Sequence, residues 1–484
     1  MITISFDRIK NKNILNKFLF LLSFAITVFL LFFIHKNNIL PLRYRAYGGI
    51  FFAVLYLAIG IIVFKNSNFR GSNIFVRVLL ILISIVSVFA NLYVSKGVDA
   101  YKTINEKQYS ESYTFSLVVR NDSSFNSLED ILDVDVESAL AMDESNISHF
   151  IDAFKNENDM DINLVEGNDY ITMAKDLLEE NSEIMLLNEA FRPIIEEQFK
   201  NFSIDTRVLK PTVIEKDSFA ELEQETVAPN KGFNVFISGI DTYGNISSVA
   251  RSDVNIILSI NPSTNKILIT SIPRDTYTKI SGGGNDQYDK LTHSGIYGVI
   301  SSVDTVENLL DIDISYYVKV NFSSVVKLID VIGGIDIDNP VAFKSGNMYF
   351  EKGNIHLSGE RALRYSRERY KFAEGDVYRG QNQVRVIQGI INKMMSPSIL
   401  LNYHRVLDVV EEFSETNIPF EKITELVNYQ IEYNGKWDFD SIQLKGSGTR
   451  ELSSYAMPGW VQYMHVPDED SIGEIHGRIS DVIK

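Results

Sequence analysis

Two groups of residues in the second half of the chain have the types and spacing to handle phosphate. The first is Asp241 and Asp253 with Arg251 between them, followed by Pro273, Arg274 and Asp275. Asp241 closes one apolar run and Asp253 opens the next, so the two carboxylates stand at adjoining strand ends. Placed so, they could converge on one hard cation such as Mg²⁺ or Mn²⁺, which take carboxylate and phosphate oxygens. They could also be turn aspartates that accept from loop amides. The second group is Arg367, Glu368 and Arg369, then Asp376, Arg379 and Gln383. The 379/383 spacing puts Arg379 and Gln383 on one helix face, while Ile387, Ile390, Ile391 and Met394 mark the buried stripe of the same helix. Asp376 stands where an N-cap would. Guanidinium groups near a helix N-terminus make a phosphate site through paired hydrogen bonds and the helix dipole; the plainer account is ordinary surface charge.

Other chemistries find no support. GxxxxGK[ST], GxSxG and HExxH do not occur. With no cysteine, disulfides, thiolate metal sites and a cysteine nucleophile are excluded. The histidines are scattered, and His293 reads as a structural cap or surface residue. Gly282, Gly283 and Gly284 follow a strand without opening a helix, which suits a flexible loop better than a phosphate cradle. Asp159, Asp161 and Asn163 resemble the start of a calcium loop, but Leu164 and Tyr170 stand where that pattern needs Gly and Glu, leaving a solvated acidic loop.

These groups must be carried by something, and the N-terminal hundred residues show what. Phe18–Ile34, Ala46–Phe64 and Val78–Val94 are apolar runs of membrane-crossing length, split by short Lys/Arg-bearing loops. Nothing after Ile34 resembles a signal-peptide cleavage site. Arg8, Lys10, Lys12 and Lys17 before the first run, and Lys65, Arg70 and Arg77 between the second and third, favour an inside N-terminus. The remainder is then extracytoplasmic. Residues 1–100 carry a net +9, so the rest carries −26 of the total −17, which argues against non-specific nucleic-acid binding.

Patterning along the chain predicts an anchor over 1–95 (spans near 18–34, 46–64 and 78–94), a polar stalk over 96–112 and a small α+β accessory domain over 113–225. In the last, Tyr113–Arg120 reads as a strand, and Met173–Glu180 and Ala190–Phe199 as helices. From 232 to 395, strands Phe233–Ser238, Val254–Ile260, Ile267–Ile272 and Tyr316–Val320 interleave with helices Leu291–Leu310, Ser323–Ile332, Gly359–Ser366 and Tyr378–Met395. That alternation predicts a three-layer α/β/α domain, with 396–484 as a C-terminal extension packed on it.

Phe236 to Asp241, Arg251-Ser-Asp253, Ile272-Pro-Arg-Asp275, Asp289-Lys-Leu-Thr-His293, Gly333-Gly-Ile-Asp336 and Arg367-Glu-Arg369 through Asp376, Arg379 and Gln383 occur in order. Together they resemble the LytR-CpsA-Psr family. Three spans and an extra domain ahead of this region resemble its capsule-associated CpsA branch from Gram-positive cocci. The resemblance implies a membrane-held extracytoplasmic phosphotransferase. Such an enzyme moves a polyprenyl-pyrophosphate-linked glycopolymer, here a capsular polysaccharide, onto peptidoglycan and releases polyprenyl phosphate. Asp241 and Asp253 would then hold Mg²⁺, and Arg251, Arg274, Arg367, Arg369, Arg379 and Gln383 would bind the pyrophosphate. Asp376 would orient an arginine or act as base. Ile296, Val299, Ile300, Val303, Val325, Val326, Ile329 and the 387–394 stripe could line a slot for the lipid, or be core. A lipid pyrophosphatase and a lipid-linked-polymer-binding regulator are the competing readings.

Overall fold

Apolar length decides the start of the chain. A computed structural model describes residues 3–64, 70–107, 110–217, 227–228, 230–240, 248–369, 371, 375–396, 405–406, 408–410, 412, 414–433 and 435–484. Helices α1 (Thr3–Lys36), α2 (Leu42–Phe64) and α3 (Arg70–Lys107) contain stretches of 23, 23 and 26 residues long and apolar enough to cross a membrane. Phe29, Phe51, Leu57 and Phe89 stay exposed on them, as lipid-facing side chains do. Between the helices the Tyr56 hydroxyl shares hydrogen bonds with Ser23 (2.7 Å) and Thr27 (2.8 Å), polar contacts of the kind that join helices in lipid. Helix α3 runs on to Lys107, so most of the stretch expected as a stalk is helical.

The second compact unit covers residues 103–417 and 437–484. It opens with a five-stranded sheet, ordered β3-β2-β4-β1-β5. The strands are β1 (Ser110–Arg120), β2 (Asp135–Ser138), β3 (Asn163–Glu166), β4 (Ile184–Asn188) and β5 (Thr206–Asp217). Helices α4 (Leu140–Asn158), α5 (Tyr170–Leu178), α6 (Arg192–Gln198) and α7 (Phe202–Asp205) lie between them. Phe115, Leu117, Phe150, Phe154 and Leu186 are sealed in its core. That core does not stop at the sheet: Val249, Ile296, Ala456 and Met457 belong to it.

A six-stranded sheet follows, ordered β16-β11-β6-β7-β8-β17. Its strands are β6 (Phe233–Ile240), β7 (Ser252–Asn261), β8 (Lys266–Ile272), β11 (Tyr316–Asn321), β16 (Ser414–Thr416) and β17 (Asp438–Gln443). Short ribbons pair β9 (Tyr277–Lys279) with β10 (Tyr288–Lys290), β12 (Ile335–Asn339) with β15 (Gly353–Leu357), and β13 (Phe343–Ser345) with β14 (Met348–Phe350). Phe236, Ile257, Leu268 and Ile272 point one way, onto Val299, Val303, Ile475 and Ile479. Ser271 alternates to the opposite face, where Gly380 packs against it. The layers are therefore α9 (Val299–Leu310) with α14 (Glu469–Ile483), the sheet, and α12 (Gly375–Met394). Helices α10 (Phe322–Val331) and α11 (Gly359–Arg367) complete the second helical layer through Ile329, Ala362, Tyr365 and Val386.

The chain after 396 is built into this domain and not laid upon it. β16 and β17 form both edges of the sheet, and β18 (Gly446–Thr449) pairs with β19 (Met464–Pro467). Between β16 and β17 the chain joins the first unit as α13 (Phe420–Tyr433). There Asn428 Nδ2 donates to the Asn38 carbonyl at 2.7 Å and Arg43 lies 3.7 Å from Glu432.

The helix expected over Leu291–Leu310 is interrupted. A short α8 (Leu291–Ser294) and a 3₁₀ turn at Gly295–Tyr297 precede α9. Gly298 has φ +103°, and a β-carbon there would meet the Glu111 carboxylate. Glu111, buried at the start of β1, accepts from the Val299 amide at 2.7 Å and the Tyr113 hydroxyl at 3.1 Å. An acceptor from 188 residues away therefore caps this helix, which no local pattern announces. The triple glycine also differs from the flexible loop expected: Gly283 and Gly284 pack against Tyr297 and Ile280 in a 3₁₀ turn. The residues offered for a lipid slot divide among three cores, Ile296 in the first, Val299 and Val303 in the second, Val325 and Ile329 in the third.

Glu111→Ala strips acceptors from two buried donors and should cost about 1–3 kcal/mol. A lower melting temperature of the detergent-solubilised full chain checks this; an unchanged one removes Glu111 from the junction.

Candidate active site

Charge is concentrated where the ends of β6 and β7 meet the turn after β8. Ile240, the last residue of β6, pairs with Ser252, the first of β7, and Asp253 is the residue passed over where the register shifts. Asp241 itself lies outside the described residues. Asp253 is nearly buried, its side chain 11% exposed, which alone would raise its pKa. The guanidiniums of Arg274, Arg251 and Arg379 outweigh that cost and hold it below the usual carboxylate range. Arg274 Nη1 donates to Asp253 Oδ2 at 2.8 Å, and Thr292 Oγ1 donates to Oδ1 at 3.0 Å. Asp275 faces outward, 3.8 Å from Arg274 Nε and 3.5 Å from Lys290 Nζ.

Above this pair opens a cavity of about 580 Å³. Among the described residues Arg251, Arg274, Arg369, Lys290, Arg450, His293 and His465 line it, against two carboxylates, Glu197 and Asp275. Glu197 comes from α6 and pairs with Arg251, so the accessory domain reaches the cavity wall. In a chain of net charge −17 a basic cavity is a local reversal of field.

The residues singled out from sequence do not all meet there. Arg251, Arg274 and Arg369 line the cavity, and Arg379 acts on Asp253 below it. Arg367 ends α11 and lies over the Phe322 ring, 4.4 Å from its centroid, away from the cavity wall. Gln383 follows Arg379 by one turn of α12 and is half-buried outside the wall. Asp376 falls inside the first turn of α12, which begins at Gly375, and not at its N-cap.

Other residues were not singled out. His293 is sealed in, not on the surface, and its Nδ1 is 2.9 Å from Asp289 Oδ1. Asp289 also accepts from Ser454 Oγ (2.7 Å) and the Ala456 amide (2.8 Å). Burial works to raise its pKa, but the adjoining His293 ring and these donors hold it low. One buried carboxylate thus ties α8 to the C-terminal segment. The 289/293 spacing was legible as a helical pair; its partners 165 and 167 residues away were not.

The donor chemistry suits a hard divalent cation. Asp253 is an ionised carboxylate, an oxygen donor of the kind such a cation takes, and basic groups stand beside it. Among the described residues no three acidic or histidine side chains form a complete ligand set.

The site is a carboxylate beneath a guanidinium-lined cavity in an α/β domain. Residues 201–470, more than half the chain, match the model of the LytR_cpsA_psr family. The chain belongs to that family. The match extends to 470, so the residues expected as a separate extension lie largely inside the family region. A curated relative from Bacillus subtilis (strain 168), polyisoprenyl-teichoic acid–peptidoglycan teichoic acid transferase TagU, is 40% identical over 52% of this chain and 78% of its own. Its Bacillus cereus counterpart is 34% identical over 54% and 82%. The crystal structure of B. subtilis TagU is 34% identical, covering 52% of this chain and 97% of that one, with a TM-score of 0.42. A second model, DNA polymerase processivity factor, matches residues 70–187, a stretch that starts in membrane-length α3 and ends inside β4.

Asp253 and Asp289 set an acid limit. A carboxyl whose folded pKa is depressed stabilises the fold above its unfolded value of about 3.9, and that stability goes as pH falls through the folded value. The melting temperature should therefore drop as pH falls below about 4. The drop should be shallower in Asp253→Asn; an equally steep decline would remove Asp253 from this account.

Proposed function

We propose that this protein transfers a polyprenyl-pyrophosphate-linked glycopolymer onto peptidoglycan. The observation that carries the reading is the basic cavity around ionised Asp253, supported by the transferase names of the relatives. A hydroxyl oxygen of peptidoglycan attacks the phosphorus that bears the polymer. A new P–O bond forms, the bridging P–O bond breaks, polyprenyl phosphate leaves, and the hydroxyl proton passes to solvent or a base. Phosphoryl transfer needs charge stabilisation and positioning more than covalent help. Arg251, Arg274 and Arg369 supply it from the wall, and Arg379 from beneath. Arg367 and Gln383 join this set if substrate draws them in, and Asp376 orients an arginine or takes the proton.

Asp241 and Asp253 are the residues we assign to Mg²⁺, with Mn²⁺ as the substitute. The cation when bound supplies further neutralisation of pyrophosphate charge. For the polymer we propose capsular polysaccharide, because three spans and an accessory domain precede the family region as in the CpsA branch. The relatives are named for teichoic acid, so both donors belong in the test.

The anchor we propose crosses the membrane three times, with the N-terminus inside and the catalytic domain on the extracytoplasmic face of the cell membrane. Contact of α13 with Asn38 and Arg43 supports this reading, because three crossings would put the first loop and the chain beyond α3 on one side. The native chain has no cysteine, so single-cysteine variants give clean labelling. Asn38→Cys should react with an impermeant maleimide on intact cells and Ser67→Cys should not; the reverse pattern inverts the topology.

For activity, the full chain is incubated with a lipid-pyrophosphate oligosaccharide of either polymer type, peptidoglycan fragments and Mg²⁺, and products are weighed by mass spectrometry. A phosphodiester-linked product is expected, reduced roughly 10²–10³-fold by Arg274→Ala, as when one transition-state donor is lost. Release of lipid phosphate without a linked product would make it a hydrolase. Binding without conversion would make it a regulator.

A further inference from the structure

The cavity is larger than a clamp for two phosphates requires, and its far wall has a different character. That wall comes from the C-terminal segment: Arg450, Gln462 and Tyr463. Tyr463 is 40% exposed although it lines a cavity. Gln462 is nine-tenths buried, and its Oε1 accepts from Lys290 Nζ at 3.2 Å, which holds the amide in place. Arg450 is exposed at the rim, with no carboxylate at ion-pair distance among the described residues.

This wall is held in place from several directions. Asp289 holds Ser454 and Ala456, Met457 is sealed in the accessory core, and Trp460 packs edge-on against Phe199 at 5.7 Å. The His465 amide donates to the Asp275 carbonyl at 2.8 Å. Beneath the Tyr463 ring lies Gly448, where a β-carbon would come within 2.6 Å of Tyr463 Cε2. The glycine gives the ring a flat seat on β18.

A seated aromatic face, a fixed amide donor and a rim guanidinium are the groups that recognise a pyranose ring: its apolar face stacks, its hydroxyl or acetamido oxygen accepts, and an anionic substituent pairs. We propose that Tyr463, Gln462 and Arg450 form a saccharide subsite for a pyranose bearing an anionic substituent, beside the phosphate clamp. This rests on the transferase reading for its place in the reaction. The sugar is either the first residue of the donor polymer or a residue of the peptidoglycan acceptor.

The test uses the full chain in detergent with three ligands: sugar-bearing donor, polyprenyl pyrophosphate without sugar, and peptidoglycan glycan fragments. Tyr463→Ala, Arg450→Ala and Gly448→Ala should each raise one KM at least ten-fold, while affinity for the sugarless lipid stays within two-fold. Tyr463→Phe keeps the ring and should behave as wild type. A rise in acceptor KM places the peptidoglycan sugar in the subsite; a rise confined to the sugar-bearing donor places the polymer there. Unchanged constants, or equal weakening of the sugarless lipid, overturn the proposal. If the wild type transfers nothing, the transferase reading fails by itself. Saturation-transfer NMR with each saccharide then decides the subsite alone: signal lost in Tyr463→Ala and kept in Tyr463→Phe upholds it, and no signal overturns it.

Discussion

Guanidinium groups repel one another, and bringing Arg251, Arg274 and Arg379 together under one cavity requires an anion among them. Asp253 is that anion. Its burial would favour the neutral acid if it stood alone, and the arginines would spread apart if it were absent. Around this mutual dependence the neighbouring chain is organised. The Thr292 hydroxyl takes the second carboxylate oxygen, and the Thr292 amide donates to the Arg274 carbonyl at 2.8 Å. The turn after β8 and the start of α8 are thereby locked to the start of β7. A phosphate ligand entering such a site meets positive charge already gathered, so little rearrangement is needed when the negative charge arrives.

Asp289 performs the matching task for packing. It is a second buried carboxylate kept ionised, but its partners are structural: His293, Ser454 and the Ala456 amide. Through it, residues 446–467 become part of the cavity wall. The same segment sends Met457 into the core of the accessory sheet. The basic cavity, the C-terminal segment and the accessory domain are therefore joined by one continuous set of contacts.

Much of this was legible from the residues. Strand runs such as Phe233–Ser238 and Ile267–Ile272 are rich in Phe, Val and Ile, bounded by turn residues, and the structure extends them by a residue or two. Arg251, Arg274 and Arg369 were identifiable because arginines near strand ends and a helix start have few other uses in an acidic chain. What escaped was long-range. No local pattern reveals that Glu111 caps α9, that Glu197 meets Arg251, or that Gly446 to Thr449 is a strand seated on Tyr463. The break at Gly298 was hidden because apolar spacing continues through it, and only φ +103° shows that the helix has stopped and restarted. Arg367 carried the right chemistry in the right order, yet its guanidinium lies over Phe322.

The shared core between the accessory sheet and the catalytic domain bears on how the protein opens. Ile296 and Met457 belong to a cluster with Phe115, Leu186 and Phe191, so the small sheet cannot separate without exposing apolar surface on both sides. The two are therefore expected to exchange amide hydrogens as one foldon, not as beads on a string.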